Sequence, residues 1–392
     1  MSEDINNTNN DYIIAEINNW DDFEELKENP NLLRGIYSYG FEKPSPIQSK
    51  AIKPLMEGRD IIAQAQSGTG KTGCFTIGSI YRIDPNNNSI QVVIMAPTRE
   101  LSKQIQSVFN SICISQPNIK SQLLIGGTSI DTDRVNLINN KPQIIIGCPG
   151  RICDMIRRKI IHTNKIKLIV LDEADEMLSA GFKDQVYNIF QFLPSEAQVA
   201  LFSATLPPEV YSLTNKFMKN PIKVLVKTEM LSLEGISQYY VALDNDEDKY
   251  MTLKDIYGQI SMSQCIIYCN NIKKVADLYD AMKEEGFPVC CIHSGMDKDN
   301  RNESYKEFRS GKYRVLISSD VTSRGIDIQQ VSTVINFDIP KSIHTYLHRI
   351  GRSGRWGRKG VGINFVTKSD YSKIKELESY YSTKIKELPQ NF

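Results

Sequence analysis

The chain is 392 residues long, 41% hydrophobic and 24% charged, with 47 Lys plus Arg against 46 Asp plus Glu. At ~100 to 200 residues per domain this length predicts two or three domains with their own cores, which excludes a disordered chain or a miniature disulfide scaffold. No apolar run approaches the ~20 residues that span a bilayer, and the net charge of +1 conceals a segregation: residues 1 to 30 hold nine acids and one base, for −8, leaving +9 on the remainder.

Residues 1 to 19 are polar, Asn-rich and without apolar periodicity, so they are expected to form a disordered acidic tail. They lack the basic start and apolar core of a secretory signal, which predicts an intracellular protein. Order is expected from Trp20 and Phe23. Short β-branched runs then alternate with amphipathic stretches: 60–63, 92–95, 144–146, 168–171, 199–202 and 224–226, followed by a second series at 265–268, 289–292, 315–317, 334–337 and 362–366. Strands separated by helix-length segments mean βαβ units and mostly parallel sheets. The expectation is an α/β protein of two domains, 20–226 and 238–392, joined by a linker over 227–237. The eight cysteines form no Cys-x-x-Cys pair and several lie inside strand-like runs, so they read as reduced core thiols rather than a zinc site.

Four segments carry chemistry. Gly40-Phe41-Glu42-Lys43-Pro44-Ser45-Pro46-Ile47-Gln48 precedes the first strand. Its Gln48 amide can pair with the exocyclic amine and ring nitrogen of adenine. The run Ala65-Gln66-Ser67-Gly68-Thr69-Gly70-Lys71-Thr72 lies between a strand and a helix, where a phosphate-binding loop belongs. There the backbone N–H groups approach phosphates, Lys71 reaches the outer ones, and the Thr72 hydroxyl can ligate Mg²⁺. Asp172-Glu173-Ala174-Asp175 ends the strand 168–171. Ligands bind at the carboxyl ends of parallel strands, so Asp172 can hold the metal ion while Glu173 positions and deprotonates water. Residues 341 to 360 hold six bases and no acid. Arg352 and Arg355, three apart, suit a pair of arginine fingers, although a basic run by itself is more often a solvated loop.

Taken in this order, these motifs resemble the DEAD-box RNA helicases over about residues 20 to 390, most nearly the translation initiation factor 4A and exon-junction branch of that family. Leu32–Pro44, Gly181–Gln185 and Arg324–Val331 strengthen the likeness. The resemblance implies two RecA-like domains that use ATP and Mg²⁺ and close on nucleotide and RNA together. It places Phe23, Phe41, Lys43, Gln48 and Trp356 at the adenine, with Phe41 and Trp356 sandwiching the base, and Asp327 at the ribose. Ser203-Ala204-Thr205, with Asp175 and His348, would couple hydrolysis to strand separation. Pro97, Thr98, Arg99, Gly127, Pro149, Arg151, Asn270, Ser319, Arg324 and Gly325 would contact RNA. Backbone, hydroxyl and cationic groups of this kind read phosphate and 2′-hydroxyl rather than bases.

The expected activity is an RNA-dependent ATPase that separates short duplexes or remodels RNA–protein complexes, with an ATP-gated RNA clamp as the alternative. Its expected partners are single-stranded or short duplex RNA and a scaffold like initiation factor 4G or the exon-junction proteins. It is expected to act as a monomer in the cytoplasm, or in the nucleus, with no membrane partner. Ending at Phe392, the chain is expected to leave no room for a further RNA-binding domain. Cys148, Asn271, Ile272 and Ser294 depart from the family pattern, and the hydroxyl missing at Cys148 and the base missing at Ile272 bear on RNA affinity.

Overall fold

The computed structural model describes residues 17–65, 68–179, 181–225, 236–322, 331–353 and 360–389. The chain divides into two compact units, 1–227 and 228–392. The first is built on the strands β1 (Ile61–Gln64), β2 (Val92–Met95), β3 (Ser121–Leu124), β4 (Ile144–Gly147), β5 (Leu168–Asp172), β6 (Gln198–Ser203) and β7 (Ile222–Leu225). They form one sheet in the order β3-β4-β2-β5-β6-β1-β7. The second unit holds β8 (Ile236–Leu243), β9 (Gln264–Tyr268), β10 (Val289–Ile292), β11 (Val315–Ser318), β12 (Val331–Asn336), β13 (Gly360–Thr367) and β14 (Lys386–Glu387). Their order is β10-β11-β9-β12-β13-β8-β14. Every described pairing in both sheets is parallel.

Parallel sheets covered on both faces need strands that are apolar on both sides, and the central strands of these sheets are. Ile61, Ile94, Ile146 and Val170 pack into one cluster and Ile62, Val93, Ile145 and Ile169 into another, so successive residues of one strand serve opposite faces. The second unit repeats the arrangement, with Ile266 and Leu316 on one face and Cys265 and Ile317 on the other. All eight cysteines are free and buried, and burial pushes the Cys113 thiol up to about 12 and Cys291 to about 11, as expected of inert core thiols.

Three strands were not anticipated. β3 and β14 are edge strands of mixed polarity without an apolar run, and the Gln and Tyr residues of β8 obscure its pattern. β8 begins at Ile236, inside the expected linker, and pairs with β13 along its length. At the other end, Ile17 is buried against the first core and the N–H groups of Asn18 and Asn19 bond to Asp22, so structure begins ahead of Trp20. No helix among the described residues is long and apolar enough to cross a membrane.

Candidate functional site

In the first sheet β5, β6 and β1 are neighbours, and the three chemical motifs sit on their carboxyl ends. The Ala65 N–H donates to the Ser203 carbonyl at 3.0 Å and the Gln64 side chain to the Ala204 carbonyl at 3.2 Å, fastening the phosphate-loop strand to its neighbour. Gly68 and Gly70 take left-handed φ values of 86° and 99°. They turn the chain into the helix Lys71–Arg82, whose first N–H groups and positive end form an anion site. Lys71 is buried, and its Nζ lies 3.3 Å from Glu173 Oε1. Two buried opposite charges in this position make a place where phosphate can exchange for carboxylate.

Asp172 closes β5, and its Oδ1 accepts the Glu173 N–H at 3.0 Å. Burial pushes the Asp172 carboxyl up to about 7, against the opposing pull of Lys71. A buried carboxylate in that state is short of positive charge, and with the Thr72 hydroxyl it offers the hard oxygen donors that suit Mg²⁺. The residues present therefore fit the metal ion. Glu173 occupies the left-handed region at φ 51°, where a side chain costs roughly 1–2 kcal/mol, so the turn that presents this acid is strained. Asp175, two residues on, accepts the Thr205 hydroxyl on Oδ2 at 2.6 Å, and its N–H meets Ser203 Oγ at 3.3 Å. The acidic segment that follows β5 and the Ser-Ala-Thr segment at the end of β6 are thereby joined.

Gln48 does more than face a base. Its Oε1 accepts the Ser45 N–H at 2.8 Å and its Nε2 donates to the Gly70 carbonyl at 3.1 Å, so one buried amide ties the adenine segment to the phosphate loop. A Cβ on Gly73 would stand 2.7 Å from both that Nε2 and the Phe41 ring, which is why the helix carries glycine there. Phe41 is half-buried beneath Trp20, ring centroids 6.1 Å apart, and its carbonyl accepts the indole N–H at 2.9 Å. Phe23, expected at the adenine, is 1% exposed and stacks on Trp20 with ring centroids 6.0 Å apart.

The segments expected to meet RNA gather on the carboxyl ends of β3, β4 and β2, the other half of the same sheet edge. Thr98 caps the helix Arg99–Ile112 by accepting the Leu101 N–H at 3.2 Å, Pro97 precedes it, and Pro149 opens the helix Pro149–Arg157. The Arg99 guanidinium lies so close to Gly126 and Gly127 that a Cβ on Gly127 would stand 2.8 Å from its Nη1. Arg151 pairs with Asp133 and donates to the Thr128 carbonyl at 2.7 Å. Both arginines thus brace the glycine turn between them. Cys148 is buried with its Sγ 3.7 Å from Ser102 Oγ, so the thiol faces inward.

In the second unit Asn270 is held by Arg349, whose Nη2 donates to its Oδ1 at 2.8 Å. The same guanidinium bonds Asp320 at 2.6 Å and the Asp338 carbonyl at 2.8 Å, and lies over the Tyr268 ring at 5.2 Å. Arg352, next along the chain, bonds through Nε to the His348 carbonyl at 3.3 Å. The Ser318 hydroxyl bonds inward to the Ile292 carbonyl at 2.6 Å, while half-buried Ser319 follows it. Asn271 caps the helix Ile272–Glu284 through the Lys274 N–H at 2.7 Å, as a threonine would. Gln66, Ser67, Arg324, Gly325, Asp327, Arg355 and Trp356 lie outside the described residues.

A family model described as DEAD/DEAH box helicase matches residues 45–213, and one described as Helicase conserved C-terminal domain matches 248–357. The curated ATP-dependent RNA helicase eIF4A of Emericella nidulans is 50% identical over 371 residues, spanning 95% of this chain and 93% of its own length.

The chain belongs to the DEAD-box RNA helicases.

The Kluyveromyces lactis eIF4A is 51% identical over 369 residues, 94% of this chain and 93% of its own. Among solved structures, S. cerevisiae Dbp5 bound to RNA and ADP BeF3 is similar at a TM-score of 0.86 and 36% identity, covering 95% of each chain. A DEAD box protein from Methanococcus jannaschii is similar at 0.55 and 32%, covering 96% of this chain and 100% of its own. The two units are RecA-like domains, and the protein is an ATP-dependent RNA helicase close to eIF4A. Motif spacing had not singled out two residues that organise this DEAD-box frame, Trp20 and Arg349. One is an aromatic outside the motif and the other an arginine hidden in a basic run.

Proposed function

We propose that this helicase is an RNA-dependent ATPase that separates short RNA duplexes or remodels RNA–protein complexes during translation initiation, in the cytoplasm. The observation that carries the reading is the buried Lys71–Glu173 pair beside Asp172, fastened through Asp175 to Thr205. Lys71 and the helix N-terminus bind the outer phosphates of ATP, and Gln48 with Phe41 orients the adenine. Thr72 and Asp172 hold Mg²⁺, which when bound supplies positive charge to the phosphate oxygens. Once Lys71 turns to phosphate, the Glu173 carboxylate is released to orient the attacking water and accept its proton. Arg352 and Arg355 belong to the second unit, so turnover requires both units, and RNA favours the assembled state.

RNA is held along its backbone through the segments around Arg99, Gly127, Pro149, Arg151, Asn270 and Ser319, so binding is independent of sequence. A scaffold resembling initiation factor 4G supplies the choice of substrate to a monomeric helicase. The deciding measurement is ATP hydrolysis, at stated salt, without nucleic acid, with single-stranded RNA and with single-stranded DNA. Stimulation by RNA alone supports this function. Equal stimulation by DNA rejects it, and slow turnover with RNA retained in the presence of scaffold proteins marks a clamp instead.

A further inference from the structure

The helix Ile130–Asn140 follows the glycine turn of the RNA segment and has two unlike faces. Inward, Asp133 pairs with Arg151 and Leu137 is buried. Outward, Val135 and Ile138 are 53% and 60% exposed, one turn apart on the same helix. A cavity of about 430 Å³ opens beside them, where Ile130, Ile138 and Ile160 meet Arg134, Lys159 and His162. The turn that completes it, residues 157 to 167, carries Arg157, Arg158, Lys159, Lys165 and Lys167 with no acid, and all five are exposed. Lys159 holds a left-handed φ of 57°, so its place at this rim is fixed by the turn.

We propose that this surface is a docking site for a partner protein, which inserts an acidic peptide segment with a branched aliphatic anchor. The cavity has apolar walls for the anchor and a cationic rim for carboxylates, which gives a partner both burial and charge complementarity. RNA fits it less well. No Phe, Tyr or Trp is among its lining residues, so a base has only the His162 imidazole to stack on. None of these residues belongs to the nucleotide or RNA segments, so the proposal stands apart from the function proposed above.

The test uses the full chain and fluorescence anisotropy of a labelled amphipathic peptide with leucines on one helical face and glutamates on the other. Binding that weakens with salt and is lost when serines replace the leucines is expected. R134E/K159E and, separately, I138S should each weaken it by about tenfold or more, with ATP hydrolysis and the thermal midpoint unchanged. Three results would overturn the proposal. The peptide could bind both variants as tightly as the parent. A single-stranded RNA could displace it, which would make the surface a nucleic-acid site. Binding could appear only after residues 1–16 are deleted, which would make the chain's own acidic terminus the occupant.

Discussion

Lys71 Nζ and Glu173 Oε1 stand 3.3 Å apart, so the cation proposed to bind phosphate and the carboxylate proposed to activate water hold each other in the resting protein. Each must let go before either can act. Glu173→Gln removes the proton acceptor and keeps the shape. It should bind ATP with little change while single-turnover hydrolysis falls by roughly 100-fold or more. Rapid turnover by that variant would remove Glu173 from the mechanism.

Asp172 gives a pH dependence with a definite sign. Its carboxyl is raised by burial from 3.8 to about 7, so the folded ligand-free protein keeps a proton that the unfolded chain releases. Stability from this group is therefore full below pH 4 and is lost as pH rises towards 7. Metal binding needs the carboxylate, so Mg²⁺ affinity should rise by roughly tenfold per pH unit below 7 and then level off. Titration calorimetry across pH 5.5 to 8 checks this, and Asp172→Asn should flatten both the affinity profile and the stability slope.

Gly73 keeps Gln48 and Phe41 within contact of the helix that begins at Lys71. Gly73→Ala would add a carbon 2.7 Å from both. The ring and the amide must then move, and the Gln48 bond to the Gly70 carbonyl stretches or breaks. The expected result is a higher KM for ATP and weaker discrimination against GTP, read by competition assays, with kcat less affected.

Thr205 and Asp175 share a 2.6 Å bond that joins the segments following β6 and β5. Thr205→Val leaves a buried acceptor short of its donor and should cost about 1–3 kcal/mol. Duplex separation should fall further than ATP hydrolysis, because the bond joins the acids to the neighbouring strand rather than to the nucleotide. A variant that loses both activities in proportion would show that the bond serves the acids alone.

Arg349 is fully buried and carries its charge into the second unit. Arg349→Met removes one donor each from Asp320, Asn336 and Asn270 and should destabilise that unit by about 1–3 kcal/mol. Denaturant unfolding should show an early transition for residues 228–392 while the first unit unfolds as before.

The sequence made the sheets legible because each central parallel strand is buried on both faces and so reads as an unbroken apolar run, as at Ile144–Ile146 and Leu168–Leu171. β3, β8 and β14 escaped because an edge or a half-exposed strand needs no such run. Lys71, Asp172 and Glu173, which the structure brings together, stood out because phosphate and metal chemistry dictate residue types at fixed spacings. No local pattern indicates that Gln48 spans to Gly70, that Arg349 reaches Asn270, or that Trp20 rather than Phe23 lies against Phe41. Those contacts join residues 21 to 79 positions apart, and only the fold brings them together.

The place of β1 between β6 and β7 bears on synthesis as well as chemistry. The ribosome delivers the phosphate loop early, yet its strand has no neighbour to pair with until residues 198–225 have emerged. A nascent chain that stops before Ser203 holds Lys71 without the sheet that positions it, so the nucleotide pocket is among the last features of the first domain to form. Arrested chains of increasing length should acquire ATP binding abruptly once β7 clears the exit tunnel. ATP could then serve the young domain as a folding ligand before the second domain exists.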